Sequence, residues 1–165
     1  MSLILKNRHG LKSKDVKIFQ NELKNFYDEN FFDKKSFVEI AEFEGFNIIF
    51  VDNEPSFMLN ENRIFFTLFG LNKYKPKKKF VVVDMGAIKF VTNGADVMGP
   101  GIVDADKSIS EADPVWICDE KHRKPIAVGI AIINGEQMIN KIKGKAVKII
   151  HFVGDDLWNF LLKSR

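Results

Sequence analysis

The sequence predicts an α+β protein made of two small domains, of which the second is a small, mostly antiparallel β-barrel with helical insertions. The chain has 165 residues, 45% of them hydrophobic and 28% charged, so it can bury a core and form one domain or two small ones. A lysine-rich segment with one proline, residues 73–79, interrupts the apolar pattern and is interpreted as a linker. After it, short apolar runs follow one another too closely for helical crossovers throughout. We therefore predict domains over residues 1–74 and 75–165.

The first element is predicted to be a helix that begins at Ser13, a residue type that caps helix N-termini. Its apolar side chains recur with the spacing of one helical face, at Val16, Phe19, Leu23 and Phe26. Asn30 and Asp33 are expected to mark its end. Most of the sixteen phenylalanines should lie in the core, because their rings carry a large apolar area and no polar group.

Three short strands are predicted to follow this helix. Residues 37–43 and 46–51 are rich in strand-forming residues, and Gly45 lies between them. Residues 52–55 read Asp-Asn-Glu-Pro, which is typical of a turn. The third strand is expected over residues 56–59.

The segment from residue 64 to residue 71 allows two interpretations. Its isoleucine and phenylalanine content favours a strand. Thr67 could instead cap a short helix that runs through Tyr74. Propensity alone favours the strand.

The second half is predicted to open with a buried strand at residues 80–83, where four apolar residues are consecutive. Asp84 can then cap a helix over residues 86–92. The apolar face of this helix is expected to contain Ala87, Ile88, Phe90 and Val91. Asn93 and Gly94 should end it, because glycine readily adopts the left-handed conformation found at helix C-termini.

The remaining elements of the second half are predicted to be three strands and one helix. Residues 115–119 and 126–133 form two strands around a charged turn, and residues 146–152 form the third. The closing helix is expected over residues 157–162, after a Gly-Asp-Asp sequence suited to a helix start.

Composition and residue types argue against several classes of function. The net charge of +3 is too small to prove a polyanionic partner, so local clusters matter more. Cys118 is the single cysteine, which excludes an intrachain disulfide and a cysteine-based zinc site. His9, His122 and His151 lack ligand spacing, and His151 is interpreted as a core histidine. We therefore expect no metal, no cofactor and no enzymatic activity.

Two further absences in the sequence bear on location and on nucleotide binding. No apolar run approaches the ~20 residues that cross a bilayer, and the N-terminus lacks the apolar core of a signal peptide. We expect a cytoplasmic protein without membrane contact. The glycines around residue 99 match neither a phosphate-binding Walker loop nor a dinucleotide fingerprint.

Residues 83–102 resemble the start of a PUA domain. They read Val-Asp-Met-Gly-Ala-Ile-Lys-Phe-Val-Thr-Asn-Gly-Ala-Asp-Val-Met-Gly-Pro-Gly-Ile, a strand that enters a helix and then a glycine-bearing loop. Residues 124–129 and 144–151 agree with later parts of that domain. At residues 111–113 the sequence is Glu-Ala-Asp, where PUA domains usually have Gly-Asp, which puts that turn in question.

More specifically, residues 86–91 and 150–158 resemble those of the malignant T-cell-amplified sequence family and its archaeal relatives. This resemblance implies a pre-PUA α+β domain followed by a PUA-type mixed β pseudo-barrel with helical insertions. It also implies that residues 65–76 are helical, against their strand propensity. The family's role implies RNA binding in translation initiation, reinitiation or recycling, by contact with rRNA or tRNA at the small ribosomal subunit. It also implies a possible protein partner like density-regulated protein. We expect no DNA partner.

The resemblance places the RNA site on the first PUA helix, the loop after it and a neighbouring strand. There Lys89 can neutralise a phosphate, and Asn93 and Asp96 can hydrogen-bond sugar or base edges. Glycines without Cβ atoms would let RNA approach the backbone, and the rest of the loop completes the site. The loop residues in the predicted site are Gly94, Ala95, Met98, Gly99, Pro100 and Gly101. Lys77, Lys78 and Lys79 are added as a basic patch.

Structural interpretations of the same residues stay open from sequence alone. Gly94 suits a helix end, Gly101 suits a turn, and Met98 could be core. Lys89 could be a solvated helix position, and residues 73–79 could be only a linker. Two other functions also remain: an accessory RNA-binding factor for RNA modification or ribosome biogenesis, and a protein-interaction scaffold without RNA affinity.

Overall fold

The computed structural model describes residues 3–164, which form two compact units. The first unit ends at Pro76, and the second comprises Lys77–Ser164. Both units combine helices with one sheet, which confirms the predicted α+β class. Each unit has its own buried apolar side chains.

The sheet of the first unit is a five-stranded antiparallel meander. Its strands occur in chain order: β1 Lys6–Gly10, β2 Val38–Phe43, β3 Phe46–Val51, β4 Glu54–Asn60 and β5 Arg63–Phe66. The hairpin loops after β2, β3 and β4 each contain two residues with positive φ, such as Asp52 and Asn53. Such loops match the twist of the paired strands and therefore fix the register of each hairpin. The predicted strands are present, and β1 is an additional one.

Helix α1, Ser13–Tyr27, packs its apolar side on this sheet. Phe19, Leu23 and Tyr27 are buried. Lys12 occupies the N-cap position and Ser13 is the first helical residue, so the predicted Ser13 cap is wrong. The helix ends at Tyr27 because Asp28 adopts the left-handed conformation, earlier than the predicted end.

Aromatic rings fill the space between α1 and the sheet. The Phe57 ring is fully buried, and its centroid lies 5.2 Å from that of Phe19 and 4.9 Å from that of Phe66. Tyr27 meets Phe66 edge to face at 5.1 Å. Offset and edge-to-face pairs of this kind add to the stabilisation from apolar burial. Phenylalanine is therefore the commonest residue type in the core of the first unit.

The ambiguous segment contains both predicted structures in succession. Strand β5 ends at Phe66, and helix α2, Leu68–Tyr74, follows. Thr67 Oγ1 accepts a hydrogen bond from the Gly70 amide at 2.9 Å, so Thr67 caps α2 as predicted. Lys73 lies in α2, and Lys75 is its left-handed C-cap, so the predicted linker is wrong for these residues.

The second unit has a six-stranded sheet in the order β7-β11-β10-β9-β6-β8. Its strands are β6 Phe80–Val83, β7 Val97–Met98, β8 Ile102–Ala105, β9 Pro114–Asp119, β10 Pro125–Ala131 and β11 Lys145–Phe152. Strand β6 runs parallel to β9, and the other pairs are antiparallel. This agrees with the predicted mixed, mostly antiparallel barrel. Strands β7 and β8 were not predicted.

Three helices and one turn of 3₁₀-helix complete the second unit: α3 Met85–Val91, Gly99–Gly101, α4 Gly135–Ile139 and α5 Asp156–Lys163. Asp84 Oδ1 accepts a hydrogen bond from the Ala87 amide at 2.9 Å and caps α3 as predicted. Phe90 is 57% exposed, so its predicted place on the core face of α3 is wrong. Gly94, with φ of +90°, lies beyond the end of α3.

The turn at residues 111–113 keeps a left-handed residue although it lacks glycine. Ala112 has φ of +76°, and its amide donates to the Ala131 carbonyl at 2.8 Å. The Ala131 amide donates to the Asp113 carbonyl at 2.9 Å. These two bonds hold the turn in the conformation that glycine would favour, so the departure from the PUA pattern changes the residue and not the fold.

Asp155 connects β11 to α5. Its carboxylate accepts hydrogen bonds from the amides of Phe152 at 3.0 Å and Trp158 at 2.7 Å, and it pairs with His151 Nδ1 at 2.9 Å. Burial alone would raise the pKa of Asp155, but the His151 side chain and these amides hold that pKa below its usual value. The ionised Asp155 carboxylate therefore stabilises the folded protein above the ordinary carboxylate pKa. This stabilisation is lost as the pH falls through the lowered pKa of Asp155. His151 is a satisfied core histidine, as predicted.

Candidate nucleic-acid interface

Three segments of the second unit meet at one surface: helix α3, the loop at residues 93–101, and the loop at residues 141–145. The Gly99 amide donates to the Gly144 carbonyl at 2.8 Å. Strand β7 pairs with β11, so that Met98 lies opposite Lys145. The Ala95 amide donates to the Phe90 carbonyl at 3.0 Å and closes the loop onto α3. We call this surface, formed by α3 and the two loops, the loop face.

Gly99 holds the two loops together and is buried. A Cβ atom at this position would overlap the Ile142 carbonyl oxygen. The missing side chain therefore admits the neighbouring backbone and not RNA. The predicted role of Gly99 as a point of close approach for RNA is wrong.

Gly94 is explained by the end of helix α3. Its φ of +90° disfavours any side chain, and a Cβ atom there would lie 3.1 Å from the Phe152 ring. A bulky substitution at Gly94 would therefore strain the fold whether or not RNA binds. Gly101 is partly exposed, and a Cβ there would make an ordinary 3.4 Å contact with Ala87.

Asp96 is engaged within the protein. Its Oδ1 accepts a hydrogen bond from the Ile149 amide at 3.0 Å, and its Oδ2 lies 3.4 Å from Lys145 Nζ. These contacts anchor strand β11 beside the loop. Asp96 therefore helps to order the loop face, and its predicted hydrogen bond to RNA stays a prediction.

The other predicted residues of the loop face are exposed. Lys89 and Asn93 are accessible on α3 and just after it, as are Ala95 and Pro100 in the loop. Within residues 3–164, the Asn93 side chain has no hydrogen-bond partner. Apolar side chains are exposed there as well, such as Met98, 47% exposed, and Phe90, 57% exposed. Lys89 Nζ lies 5.2 Å from the Phe90 ring centroid.

Sequence reasoning missed three lysines of this surface. Lys141, Lys143 and Lys145 lie in or at the end of the loop at residues 141–145. All three are exposed. The signal was the Lys-Ile-Lys-Gly-Lys sequence, which becomes relevant only when β11 is known to pair with β7. With Lys89 they give the loop face an excess of positive charge over Asp96.

The predicted basic patch at residues 77–79 is only partly available. Lys79 is buried; its Nζ donates to the Ser108 carbonyl at 2.9 Å and pairs with Asp113 at 3.0 Å. The Lys78 carbonyl accepts a hydrogen bond from Trp116 Nε1 at 2.8 Å, while Lys77 is exposed. Lys79 therefore stabilises the second unit, and its predicted place in an RNA-binding patch is wrong.

Replacing Lys79 with alanine is expected to lower the free energy of unfolding by about 2 kcal/mol, because it leaves Asp113 without its charged partner in a partly buried site. The slope of log affinity for RNA against log salt should stay unchanged. Urea unfolding and an RNA-binding titration measure the two effects, with Lys107→Ala as an exposed-lysine control. A loss of salt dependence without a loss of stability would contradict this assignment.

Two other features bear on metal binding and on thiol chemistry. No group of three or more metal-ligating side chains occurs within residues 3–164. Burial raises the pKa of Cys118 to about 12, so its thiol is not a nucleophile at neutral pH and packs as a small apolar group. No described helix is long and apolar enough to cross a membrane.

Two family models match the chain. The model for the PUA domain matches residues 79–153. A second model, described as a domain of unknown function (DUF1947), matches residues 7–74. The resemblance of the second half to PUA domains is therefore confirmed.

Relatives extend the similarity to both halves of the chain. An uncharacterized protein of Methanocaldococcus jannaschii is 50% identical over 94% of this chain and 98% of the relative. Translation machinery-associated protein 20 of Saccharomyces cerevisiae is 32% identical over 91% of this chain and 86% of the relative. Malignant T-cell-amplified sequence 1 of Rattus norvegicus is 32% identical over 70% of this chain and 66% of the relative.

A solved structure shows the same fold. The crystal structure of a hypothetical protein from Pyrococcus horikoshii matches with a TM-score of 0.85 and 39% sequence identity. The match covers 94% of this chain and 99% of that chain.

Proposed function

Because this chain belongs to the PUA-domain family that includes translation machinery-associated protein 20 and the malignant T-cell-amplified sequence proteins, we propose that it binds structured RNA of the translation machinery through the loop face. A PUA domain indicates RNA binding, and these relatives indicate a role connected with translation. The proposal assigns the binding to a surface and to named residues of this chain.

The observation that carries the proposal is the composition of the loop face. Four exposed lysines belong to the segments that form it: Lys89 on α3, and Lys141, Lys143 and Lys145 in the loop at residues 141–145. Lysine ammonium groups release counterions from phosphates on binding, which provides most of the affinity of non-specific nucleic-acid contacts. Four apolar side chains of these segments are exposed as well: Met85, Phe90, Met98 and Ile142. Such side chains can contact bases or sugars that a phosphate site alone would leave in water.

The geometry suits a shaped RNA element. Asn93 is exposed beside Lys89 and can donate and accept hydrogen bonds at a 2′-hydroxyl or a base edge. The backbone hydrogen bond from the Gly99 amide to the Gly144 carbonyl holds the loop that carries the lysines of residues 141–145 against the loop that follows α3. A surface that is ordered before binding loses less conformational entropy when RNA binds.

We infer that the RNA is rRNA or tRNA and that the protein acts without catalysis at the small ribosomal subunit in the cytoplasm. A protein partner comparable to density-regulated protein is part of this proposal. The names and similarity of the translation machinery-associated relatives support it. An accessory role in RNA modification or ribosome biogenesis would use the same loop face.

The test is a binding titration of a tRNA transcript and of small-subunit rRNA at several salt concentrations. Lys89→Ala should lower the magnitude of the log–log salt slope by roughly 1, because one phosphate contact is lost. Lys163→Ala on α5 removes an equally exposed lysine elsewhere and should leave the slope unchanged. If the parent and Lys89→Ala proteins have the same log–log salt slope, α3 is not part of the RNA site.

Sedimentation of cell extracts separates the finer roles. Co-migration with small ribosomal subunits supports a role in translation itself. Migration only with free RNA or with precursor particles supports the modification or biogenesis role. A parent protein without salt-sensitive RNA affinity would leave the protein scaffold as the remaining function.

A further inference from the structure

A second cluster of unneutralised lysines lies in the first unit. Lys14 and Lys17 lie on α1, and Lys34 lies between α1 and β2. The three line one open depression together with Ser36 and Phe37. In the part of the chain that the structure describes, none of these lysines forms an ion pair. Their combined charge therefore remains available to attract an anion.

The charges of helix α1 are divided between two sides. Residues seven apart in a helix point in nearly the same direction, so Lys17 and Lys24 share one side, while Asp15 and Glu22 share another. The acidic pair borders a different groove, together with Ile18. The depression that contains Lys14 and Lys17 is therefore separated from the acidic residues of its own helix.

An exposed aromatic ring is fixed beside these lysines. Phe37 is 58% exposed, although its ring has no polar group. Its amide donates to Asp52 Oδ1 at 2.8 Å, and its carbonyl accepts from the Asp52 amide at 2.8 Å. The ring lies over Gly10, where a Cβ atom would come within 3.3 Å of it. Phe37 is thus held by backbone contacts with much of its ring exposed to solvent.

The segment that carries Lys34 is also ordered. Gln20 Nε2 donates to the Phe32 carbonyl at 2.9 Å and ties this segment to α1. The Lys35 amide donates to Asp33 Oδ1 at 2.6 Å, and the Ser36 amide donates to the Asp33 carbonyl at 3.2 Å. The depression has a volume of about 560 Å³, within the range of roughly 300–1,000 Å³ that is usual for ligand sites.

We propose that this depression binds a single-stranded segment of RNA, with Phe37 stacking on a base and with Lys14, Lys17 and Lys34 contacting phosphates. Sites for single-stranded nucleic acid combine a basic groove with an aromatic platform, because every base has a face that can stack. The exposed Phe37 ring favours RNA over an acidic peptide as the ligand. Carboxylates could pair with the lysines but would leave the Phe37 ring exposed to solvent. This site lies in the first unit and is separate from the loop face, so it goes beyond the function proposed above.

The experiment uses the full chain and a fluorescein-labelled oligouridine of about 12 nucleotides, a length within the usual site size of single-strand-binding domains. The triple variant Lys14→Ala, Lys17→Ala, Lys34→Ala should lower the magnitude of the log–log salt slope by about 2, because each phosphate contact with a single strand contributes roughly 0.7. The matched variant with arginine at the same three positions keeps the charge and should bind like the parent.

Phe37→Ala should weaken binding of the oligouridine at least about fivefold through the loss of base stacking. Ile18→Ala truncates an equally exposed apolar side chain on the acidic side of α1 and should leave the affinity unchanged. Equal affinity of the Phe37→Ala and parent proteins would overturn the proposal. Displacement of the oligouridine from both proteins by a poly-glutamate peptide at equal concentration would also overturn it, because the depression would then be a general anion site.

Cross-linking separates this site from the loop face. An oligouridine with 4-thiouridine should cross-link to the tryptic peptide that begins at Ser36. Cross-links only within Lys77–Ser164 would overturn this inference and leave the proposed function intact. Cross-links in neither unit would also overturn this inference, whereas the proposed function is tested separately by the titrations with tRNA and rRNA.

Discussion

Replacing Lys141, Lys143 and Lys145 together with alanine is expected to weaken binding of a tRNA transcript on the order of 100-fold near 0.1 M salt, because about three phosphate contacts are lost. The magnitude of the log–log salt slope should fall by about 2 to 3. Lys145 also pairs with Asp96, but Asp96 keeps its hydrogen bond from the Ile149 amide, so the fold should be retained. Fluorescence anisotropy over a range of salt concentrations measures both quantities.

The control for this variant removes the same charge from other surfaces. Lys6, Lys107 and Lys163 are exposed and lie outside both proposed RNA sites. Their triple replacement with alanine changes the net charge equally. A similar loss of affinity in both triple variants would show that net charge, and not the loop face, determines binding.

Replacing Gly99 with alanine is expected to damage stability and RNA binding together. The new Cβ would overlap the Ile142 carbonyl, which is backbone and has little freedom to move. Overpacking of this kind costs roughly 1–3 kcal/mol in unfolding free energy. The two loops should separate, which carries the lysines at residues 141–145 away from α3. Urea unfolding and RNA titration measure the two losses.

Gly101→Ala is the matched control for Gly99→Ala. It lies two residues further along, and its Cβ would make an ordinary contact with Ala87. Its unfolding free energy should stay within about 0.5 kcal/mol of the parent. If Gly99→Ala unfolds like Gly101→Ala, the close packing of the two loops is not what requires glycine at residue 99.

The strands and helix caps were largely predictable from local sequence. Asp84 and Thr67 each precede a short helix and cap it, because their side-chain oxygens accept an amide hydrogen bond that the helix leaves free. Ser13 shows the limit of this reasoning, since Lys12 takes the cap position without a side-chain bond. Helix α4 carries a reciprocal capping box of Asn134 and Gln137, a signal present in the sequence and overlooked.

The candidate site was harder to predict because its residues come together only through sheet pairing. The lysines at residues 141–145 are distant in sequence from Lys89, and the pairing of β11 with β7 brings their loop beside the loop that follows α3. Strand β7 is two residues long and has no periodicity to reveal it. Glycine was an ambiguous signal. Gly99 lets the protein's own backbone approach closely, and the sequence alone does not distinguish this from close approach by RNA.

Whether a side chain is buried or exposed was also hard to predict from residue type alone. Lys79 belongs to a lysine-rich segment, yet it is the lysine that pairs with Asp113 inside the second unit. Phe90 matches the helical stripe of α3, yet it faces solvent. A helix of seven residues, such as α3, buries only a narrow stripe, so a neighbouring apolar position can remain exposed.

The measurement that tests the central claim most directly is a TROSY NMR titration of the ¹⁵N-labelled chain with a tRNA transcript. Binding at the loop face predicts that amide signals of Lys89, Asn93 and residues 141–145 shift or broaden, while those of β8 stay in place. Perturbations that leave the loop face unchanged and appear on β8 or α5 instead would contradict the account.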